Sequence, residues 1–536
     1  MSKILDSNYF IYIFFLVYLL TGVLIFDDYP VTPDEELHRV NGLISLKYIL
    51  NLFNINWFEF TEFTNVPDLY DDWRKSYGVL FDLPISFFQV MLKIDNQNIF
   101  LLRHFLNFII FFIGVIYFYK LINENFSNKL ALLGTLILIT SPRIFSHSFY
   151  NSKDILFLSL IIIAVFYCIK LLKKNNIKNL IIASLFCALA TNIRIIALYL
   201  PILTFIFYIY FEDTNLKKNV FKFLIIFFFS YFLFIYLIWP FLWAAPFKNF
   251  FLILKESTAY PNHWNFNILY LGKYLNPENI PWHYFFVWLT ITTPPIFLLM
   301  IVFGVFVFLK NYLRFFFKID FKKNISLWTD KNQMINLFIF LNFFIPIFFV
   351  ICLNSTLYNG WRHLFFIYPF LIYLSLYGVS LIKKNLKFLR ILISIIIIQL
   401  FSNIYIIYNS HPVQNTYFNV FAKKFVIGNM PIDYWGLGNK KTIEYVLKKN
   451  KNISISTSSF TPLHYLKYSK EKNNNFDEIT YNGTDINLKT KSDFIFTNYY
   501  YDQSPFNIEK YSIPNNYKSY YKLIINGIVV NEIFTK

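Results

Sequence analysis

About eleven runs of apolar residues, each long enough to cross a bilayer, leave this chain few ways to fold. They centre on residues 10–26, 99–119, 129–146, 155–171, 178–192, 195–211, 221–239, 284–309, 335–353, 364–382 and 390–408. In hydrocarbon the backbone polar groups must be satisfied within the segment, so runs of this length specify helices. The expected fold is an α-class polytopic membrane bundle. The chain is 15% charged and 56% hydrophobic, whereas soluble domains carry roughly 25% charge. The first run, Tyr9 to Phe26, lacks the small-residue exit of a cleaved signal peptide and reads as a retained span. The fifth and sixth runs abut closely enough to be a broken pair. Cys168, Cys187 and Cys352 lie in apolar runs without metal-ligand spacing and read as buried small hydrophobes.

Charge sets the orientation. A net charge of +18 could suit nucleic acid, but its distribution argues against such a partner. Alternate loops at 120–129, 170–178, 212–222, 310–331 and 383–390 hold 19 Lys or Arg, including Lys173-Lys174, Lys217-Lys218, Lys322-Lys323 and Lys383-Lys384. Such loops face the cytoplasm, beside anionic membrane lipids. The amino terminus is then inside, and loops 27–98, 141–154, 240–283 and 354–363 are outside.

The first outer loop is acidic and opens with Thr32-Pro33-Asp34-Glu35-Glu36-Leu37-His38. Charge at a bilayer surface is costly unless it is used. Thr32 suits an N-cap, Pro33 the first helical position, and Glu35 the third position of a capping box. Glu35 therefore reads equally as a cap or as a site residue, while Asp34 has no capping duty. Leu37, Leu43, Ile44, Tyr48 and Leu52 fall near helical spacing, which predicts an amphipathic helix on the membrane surface. Most later acids of this loop, among them Glu59, Glu62, Asp68, Asp71, Asp72, Asp82 and Asp95, read as solvated surface.

The other outer loops are shorter. Ser141 to Asp154 holds Arg143, His147 and Lys153 and ends in an acid; Asp154 either favours a helix N-terminus or serves chemistry. Loop 240–283 carries His263, Trp264, Trp282 and His283; such rings anchor at interfaces or stack on sugars. Leu357 to His363 includes Trp361 and places Arg362 and His363 at the membrane edge. Arginine there can snorkel to headgroups or grip phosphate with its planar fork. From residue 409 the chain turns polar, which divides it into a membrane domain, 1–408, and a small extracytoplasmic α/β domain, 409–536. Lys440–Lys449 reads as a helix, Ile453–Ser456 and Phe494–Phe496 as strands, and Leu523–Val530 as a hairpin turning at Asn526-Gly527.

No Walker loop, GxGxxG, HExxH or GxSxG is present, so no nucleotide cofactor is expected. Interfacial acids beside outward cations suit a lipid-borne phosphate substrate meeting an acceptor from outside. A carboxylate would take the acceptor proton, and cations, or a divalent metal ion held by Asp34 and Asp154, would stabilise the departing phosphate. A transporter or flippase of lipid-linked sugars is the alternative. Transporters carry charge near the midplane and paired halves, and neither is visible here.

The sequence resembles the GT-C membrane glycosyltransferases that use polyprenyl-phosphate sugars. These include protein O-mannosyltransferases, lipid A aminoarabinose transferases and bacterial glycosyltransferase family 39 relatives. Asp34-Glu35 after span one is similar to that family's first-loop acidic motif, and Pro142 through Asp154 to its second loop. Pro281-Trp282-His283-Tyr284 with Thr292-Thr293-Pro294, and Tyr358 through His363, resemble further stretches of the bacterial branch. So do His411 through Asn419 and Asp433-Tyr434-Trp435-Gly436. The resemblance implies a GT-C bundle in the inner (plasma) membrane and an inverting transfer at a site facing outward. Asp34 is then the base, with Glu35 and Asp154 as further acidic site residues. Arg362, His363, Arg143 and Lys153 would bind the donor phosphate, and Trp282, His283 and Trp361 would contact sugar or acceptor. The last motif departs from the Trp-Trp-Asp-Tyr-Gly signature of oligosaccharyltransferases, which implies transfer of one sugar to an acceptor the sequence does not identify.

Overall fold

The computed structural model describes residues 8–55, 63, 65–211, 217–258, 267–317, 327–382, 386–461, 463–469, 476–500 and 508–536. Glu59, Glu62, His263, Trp264, Lys322, Lys323, Lys383 and Lys384 lie outside them. Every apolar run becomes helical, and eight helices among the described residues are long and apolar enough to span a membrane. These are Tyr9–Asp28, Asn96–Asn123, Asp154–Lys173, Val220–Ile238, Pro295–Phe316, Lys331–Cys352, Arg362–Leu381 and Leu389–Ser410. A ninth is the pair Asn128–Ile139 and Pro142–Tyr150, bent by 69°. Pro142 occupies the first position of the second piece, where its missing N–H costs nothing. The fifth and sixth runs are shorter apolar helices, Ile177–Ile193 and Ile195–Tyr210, with Arg194 at the break between them. The expected count of eleven thus counts helical runs, of which eight or nine pass as spans. Asp154–Lys173 is the hub, with 89% of its apolar window inside the protein, whereas Leu389–Ser410 buries only 17%. Cys352 differs from expectation: it is exposed at the end of its helix, while Cys168 and Cys187 are buried.

The first outer loop folds back as helix Pro33–Leu52, which packs on Asp82–Leu92. Asp72 and Asp82 are not solvated surface: each is 6% exposed, paired with Arg74 at 2.7 Å and Arg103 at 2.6 Å respectively. A buried carboxylate needs a counter-charge, and Arg103 lies on a span too far along the chain for sequence spacing to suggest it. Gly78 lets this loop press on helix Ile177–Ile193, because a Cβ there would sit 1.6 Å from the Asn192 carbonyl oxygen.

Beyond Ser410 the chain first packs back into the helical body and then forms a mixed sheet. Strands β1 (Ile268–Tyr270) and β2 (Lys273–Leu275) make a separate hairpin earlier in the chain. The tail strands are β3 (Ile453–Thr457), β4 (Ile479–Gly483), β5 (Phe494–Thr497), β6 (Lys518–Ile525) and β7 (Ile528–Thr535). Their order is β4-β3-β5-β7-β6, with β3 parallel to β4 and β5 and the other pairs antiparallel. The predicted hairpin is β6–β7, turning at Asn526 and Gly527 with φ of 51° and 81°, the left-handed pair a type I′ turn requires. Helix Gly438–Leu447 covers β6 and β7. The tail meets the loops read as outer. Val31 N donates to Ser469 Oγ at 3.0 Å, and Tyr500 Oη donates to Asn359 Oδ1 at 3.1 Å.

Candidate active site

Four segments converge at one end of the bundle. Helix Pro33–Leu52 starts with Thr32 as N-cap, and Thr32 N donates to Glu35 Oε2 at 2.8 Å, closing the capping box. The other oxygen of Glu35 lies 2.8 Å from His104 Nε2, and both side chains are buried. Glu35 is thus spent on the helix start and on span Asn96–Asn123. Asp34, one residue earlier, points away from that pair and keeps 35% of its side chain exposed.

Asp34 Oδ2 stands 3.2 Å from Arg362 Nη1, and the same nitrogen donates to Asp154 Oδ2 at 3.1 Å. Arg362 therefore bridges the two acids read from separate loops. Asp154 is 1% exposed and saturated. Arg194 pairs with its Oδ1, Asn151 Nδ2 donates to its Oδ2 at 2.9 Å, and its own N–H donates to Asn151 Oδ1 at 2.9 Å. Asp154 opens its helix, as one of its two readings has it, and it also anchors two guanidinium groups. Arg362 is 5% exposed and stands 4.9 Å from the Trp435 ring and 5.0 Å from that of Tyr358. Flat guanidinium faces stack on such rings while the edges donate.

Burial raises the Asp34 carboxyl above its usual value, against the opposing pull of Arg362 and with Asp154 pushing the same way. Lys153 stands 3.7 Å from the Tyr77 ring. Burial, then the Arg194 charge, lowers its ammonium to about 7. His38, one turn after Asp34, is held well below its ordinary value by burial and by Lys153, so it is neutral. His363 packs edge-on to Tyr358 at 4.8 Å.

The remaining expected residues sit elsewhere. Arg143 donates from Nε to the Tyr417 carbonyl at 2.9 Å and lies 4.6 Å from the Phe418 ring. Trp361 is buried and donates to Thr292 Oγ1 at 2.8 Å. His283 Nδ1 lies 2.7 Å from Tyr270 Oη on the small hairpin. Trp282 is 67% exposed beside Phe286. Neither joins the arginine–carboxylate cluster.

Sequence reasoning missed Arg194, hidden between two apolar runs; a lone cation inside a long hydrophobic stretch was the signal available. It also gave no role to Tyr434, whose Oη lies 3.2 Å from His147 Nε2. His147 Nδ1 lies 3.0 Å from Asn151 Nδ2, which continues the chain of contacts to Asp154. The donor set does not suit a divalent metal shared by Asp34 and Asp154. Arg362 stands between them, both Asp154 oxygens are engaged by donors, and no group of three metal-type ligands occurs among the described residues.

Residues 85–239 match the family model described as dolichyl-phosphate-mannose-protein mannosyltransferase, a stretch that includes Arg103, Arg143, Lys153, Asp154 and Arg194. No curated protein matches by sequence. Among solved structures, the chain is similar to ArnT from Cupriavidus metallidurans bound to undecaprenyl phosphate, at 9% identity and a TM-score of 0.43, covering 98% of each chain. The apo state of the same protein aligns at 9% identity and a TM-score of 0.42, covering 97% of each chain.

Proposed function

We propose that this chain is an integral membrane glycosyltransferase that moves one sugar, with inversion, from a polyprenyl-phosphate donor to an acceptor on the extracytoplasmic side. One observation carries the reading: Arg362 links a half-exposed carboxylate, Asp34, to a saturated one, Asp154, with Arg194 on the far side. A partly exposed carboxylate paired with only one of the clustered cations divides the labour an inverting transfer needs. Asp34 takes the proton of the acceptor nucleophile as its bond to the sugar's anomeric carbon forms. The anomeric carbon–oxygen bond to phosphate breaks, and its electron pair leaves on the polyprenyl phosphate. Arg362, Arg194 and Lys153 hold that growing charge in a site already poor in water. The phosphate's arrival restores the Lys153 proton that burial disfavours.

Purified protein incubated with a panel of polyprenyl-phosphate sugars and candidate acceptors is expected to release free polyprenyl phosphate from at least one donor. A transporter would bind the same lipids and release none, and that outcome across the panel removes the transferase reading. Within an active pair, Arg362→Lys keeps the charge but loses the planar fork. Turnover should fall about tenfold or more, the scale of one charge-assisted hydrogen bond of roughly 1.5–3 kcal/mol. Parental turnover in Arg362→Lys would reduce Arg362 to a structural bridge.

The orientation follows from the basic loops. Cysteines placed singly at Lys173 and Asn526, in a background without native thiols, separate the two faces. An impermeant thiol reagent on intact cells should label the Asn526 site and spare the Lys173 site. The reverse pattern would turn the molecule over and put the acidic site in the cytoplasm.

A further inference from the structure

The helix Tyr284–Thr292 stops because two prolines follow, and its end is completed by a residue more than 120 positions away. In a continuing helix, the N–H groups of residues 294 and 295 would bond the carbonyls of Thr290 and Ile291. Pro294 and Pro295 have none, and the last internal bond runs from Thr293 N to the Leu289 carbonyl at 3.0 Å. The chain then runs on into span Pro295–Phe316, where unpaired carbonyls are costly. Asn419 supplies the missing donors. Its backbone N–H reaches the Ile291 carbonyl at 2.9 Å, and Nδ2 donates to the Thr290 and Thr293 carbonyls at 2.6 and 3.1 Å. Its Oδ1 accepts from Phe421 N and Ala422 N, both at 3.2 Å. Every polar atom of this side chain, only 4% of the residue being exposed, is committed.

What hangs from this joint is the surroundings of Arg143. The Tyr417 carbonyl accepts from Arg143 Nε, and the Phe418 ring lies under its guanidinium. Both residues immediately precede Asn419. Arg143 needs that wall more than other arginines do. Of the buried arginines described, Arg39, Arg103 and Arg362 each have a carboxylate partner, and Arg143 has the Tyr417 carbonyl, the Tyr434 hydroxyl and aromatic faces instead. On the other side of the joint, Thr292 Oγ1 accepts from Trp361, the residue before Arg362. We propose that Asn419 is a positioning residue for lipid-phosphate binding, acting through the strap that fixes Arg143. This rests on the transferase reading, extended to Arg143 as a phosphate-binding cation in addition to Arg362, Arg194 and Lys153, because Arg143 Nη2 is buried with no hydrogen-bond partner among the described residues.

A double-mutant cycle tests it on the full-length protein, with polyprenyl phosphate itself as the probe and affinity measured well below the melting temperature. Asn419→Ala and Arg143→Ala should each weaken binding about tenfold, the scale of a lost hydrogen bond to a charged group. Because Asn419 acts through Arg143, the double variant should bind no more weakly than Arg143→Ala alone. Asn419→Asp keeps the shape, loses both donors, and should behave like Asn419→Ala. Asn342→Ala is the control for stability alone: this buried asparagine bonds Tyr199 Oη and the Phe338 carbonyl, and its loss should lower melting without touching affinity. Additive losses, or parental affinity in Asn419→Ala or Arg143→Ala, would overturn the proposal while leaving the transferase reading intact. Non-additive losses in a protein that binds the lipid but never transfers sugar would sustain Asn419 and remove the transferase reading.

Discussion

Asp34→Asn is expected to insert, purify and bind lipid donor as the parent does, yet to transfer sugar about 10²–10⁴-fold more slowly, the usual cost of removing a positioned base. The substitution is nearly isosteric, and an amide oxygen still accepts from Arg362 at the 3.2 Å the carboxylate occupies. What it cannot do is take a proton. Glu35→Gln is the matched comparison, because that carboxylate already serves Thr32 N and His104, and an amide can keep both contacts. Its turnover should stay close to parental. Acidity gives a second readout. Burial raises the Asp34 pKa, and the base works only when deprotonated. Activity should therefore be lost as pH falls through a value above the usual carboxylate range near 4, and the Glu35→Gln profile should keep that limb. Retained activity in Asp34→Asn, on matched amounts of folded protein, would show that the base lies elsewhere.

The adjacency of Asp34 and Glu35 shows how much of the site was legible in the sequence. Capping grammar is local, so Thr32-Pro33-Asp34-Glu35 let Glu35 read equally as a cap or a site residue and left Asp34 with no capping duty before any contact was known. Apolar runs are equally local, and each became a helix. The Asn-Gly hairpin formed where expected for the same reason. Partnerships between distant segments were not legible. Nothing near Asp154 in the chain announces that it will hold Arg194 and Arg362 together, and nothing near Asp82 announces Arg103. Arg194 drew no reading from the sequence because apolar runs on both sides swamp one charge in any window average. Trp282 reads from its motif as an interfacial anchor or a sugar contact, and it stands exposed beside Phe286, next to His283, which joins the small hairpin. Asn419 had a recognisable cause, the Pro294-Pro295 pair, yet which residue would complete the broken helix depended on the tertiary fold.

Asp154→Ala is expected to destabilise the protein by about 3–5 kcal/mol, the cost of leaving buried charges without their partner. Asp154 is 1% exposed, Arg362 is 5% exposed, and Arg194 pairs with the opposite carboxylate oxygen. Removing the carboxylate leaves two guanidinium groups facing each other with Asp34 as the one remaining acid in contact with Arg362. Asp154→Asn should fall between parent and Asp154→Ala, because it keeps a polar group for Asn151 but loses the charge. The double variant Asp154→Leu with Arg194→Met separates the electrostatic cost from simple loss of packing. An apolar pair can replace an ion pair at little cost, and Arg362 keeps Asp34 at 3.2 Å although it loses Asp154, so the double variant should melt above Asp154→Ala but below the parent. It should still transfer sugar poorly, since a cation for the leaving phosphate has gone. Thermal unfolding in detergent, followed alongside polyprenyl phosphate release, reads both quantities on one sample. Parental melting in Asp154→Ala would mean the arginines are held by something other than this acid. If Asp154→Asn kept its stability and abolished turnover while Asp34→Asn remained active, the proton would have to go to Asp154, and Asp34 would be its helper.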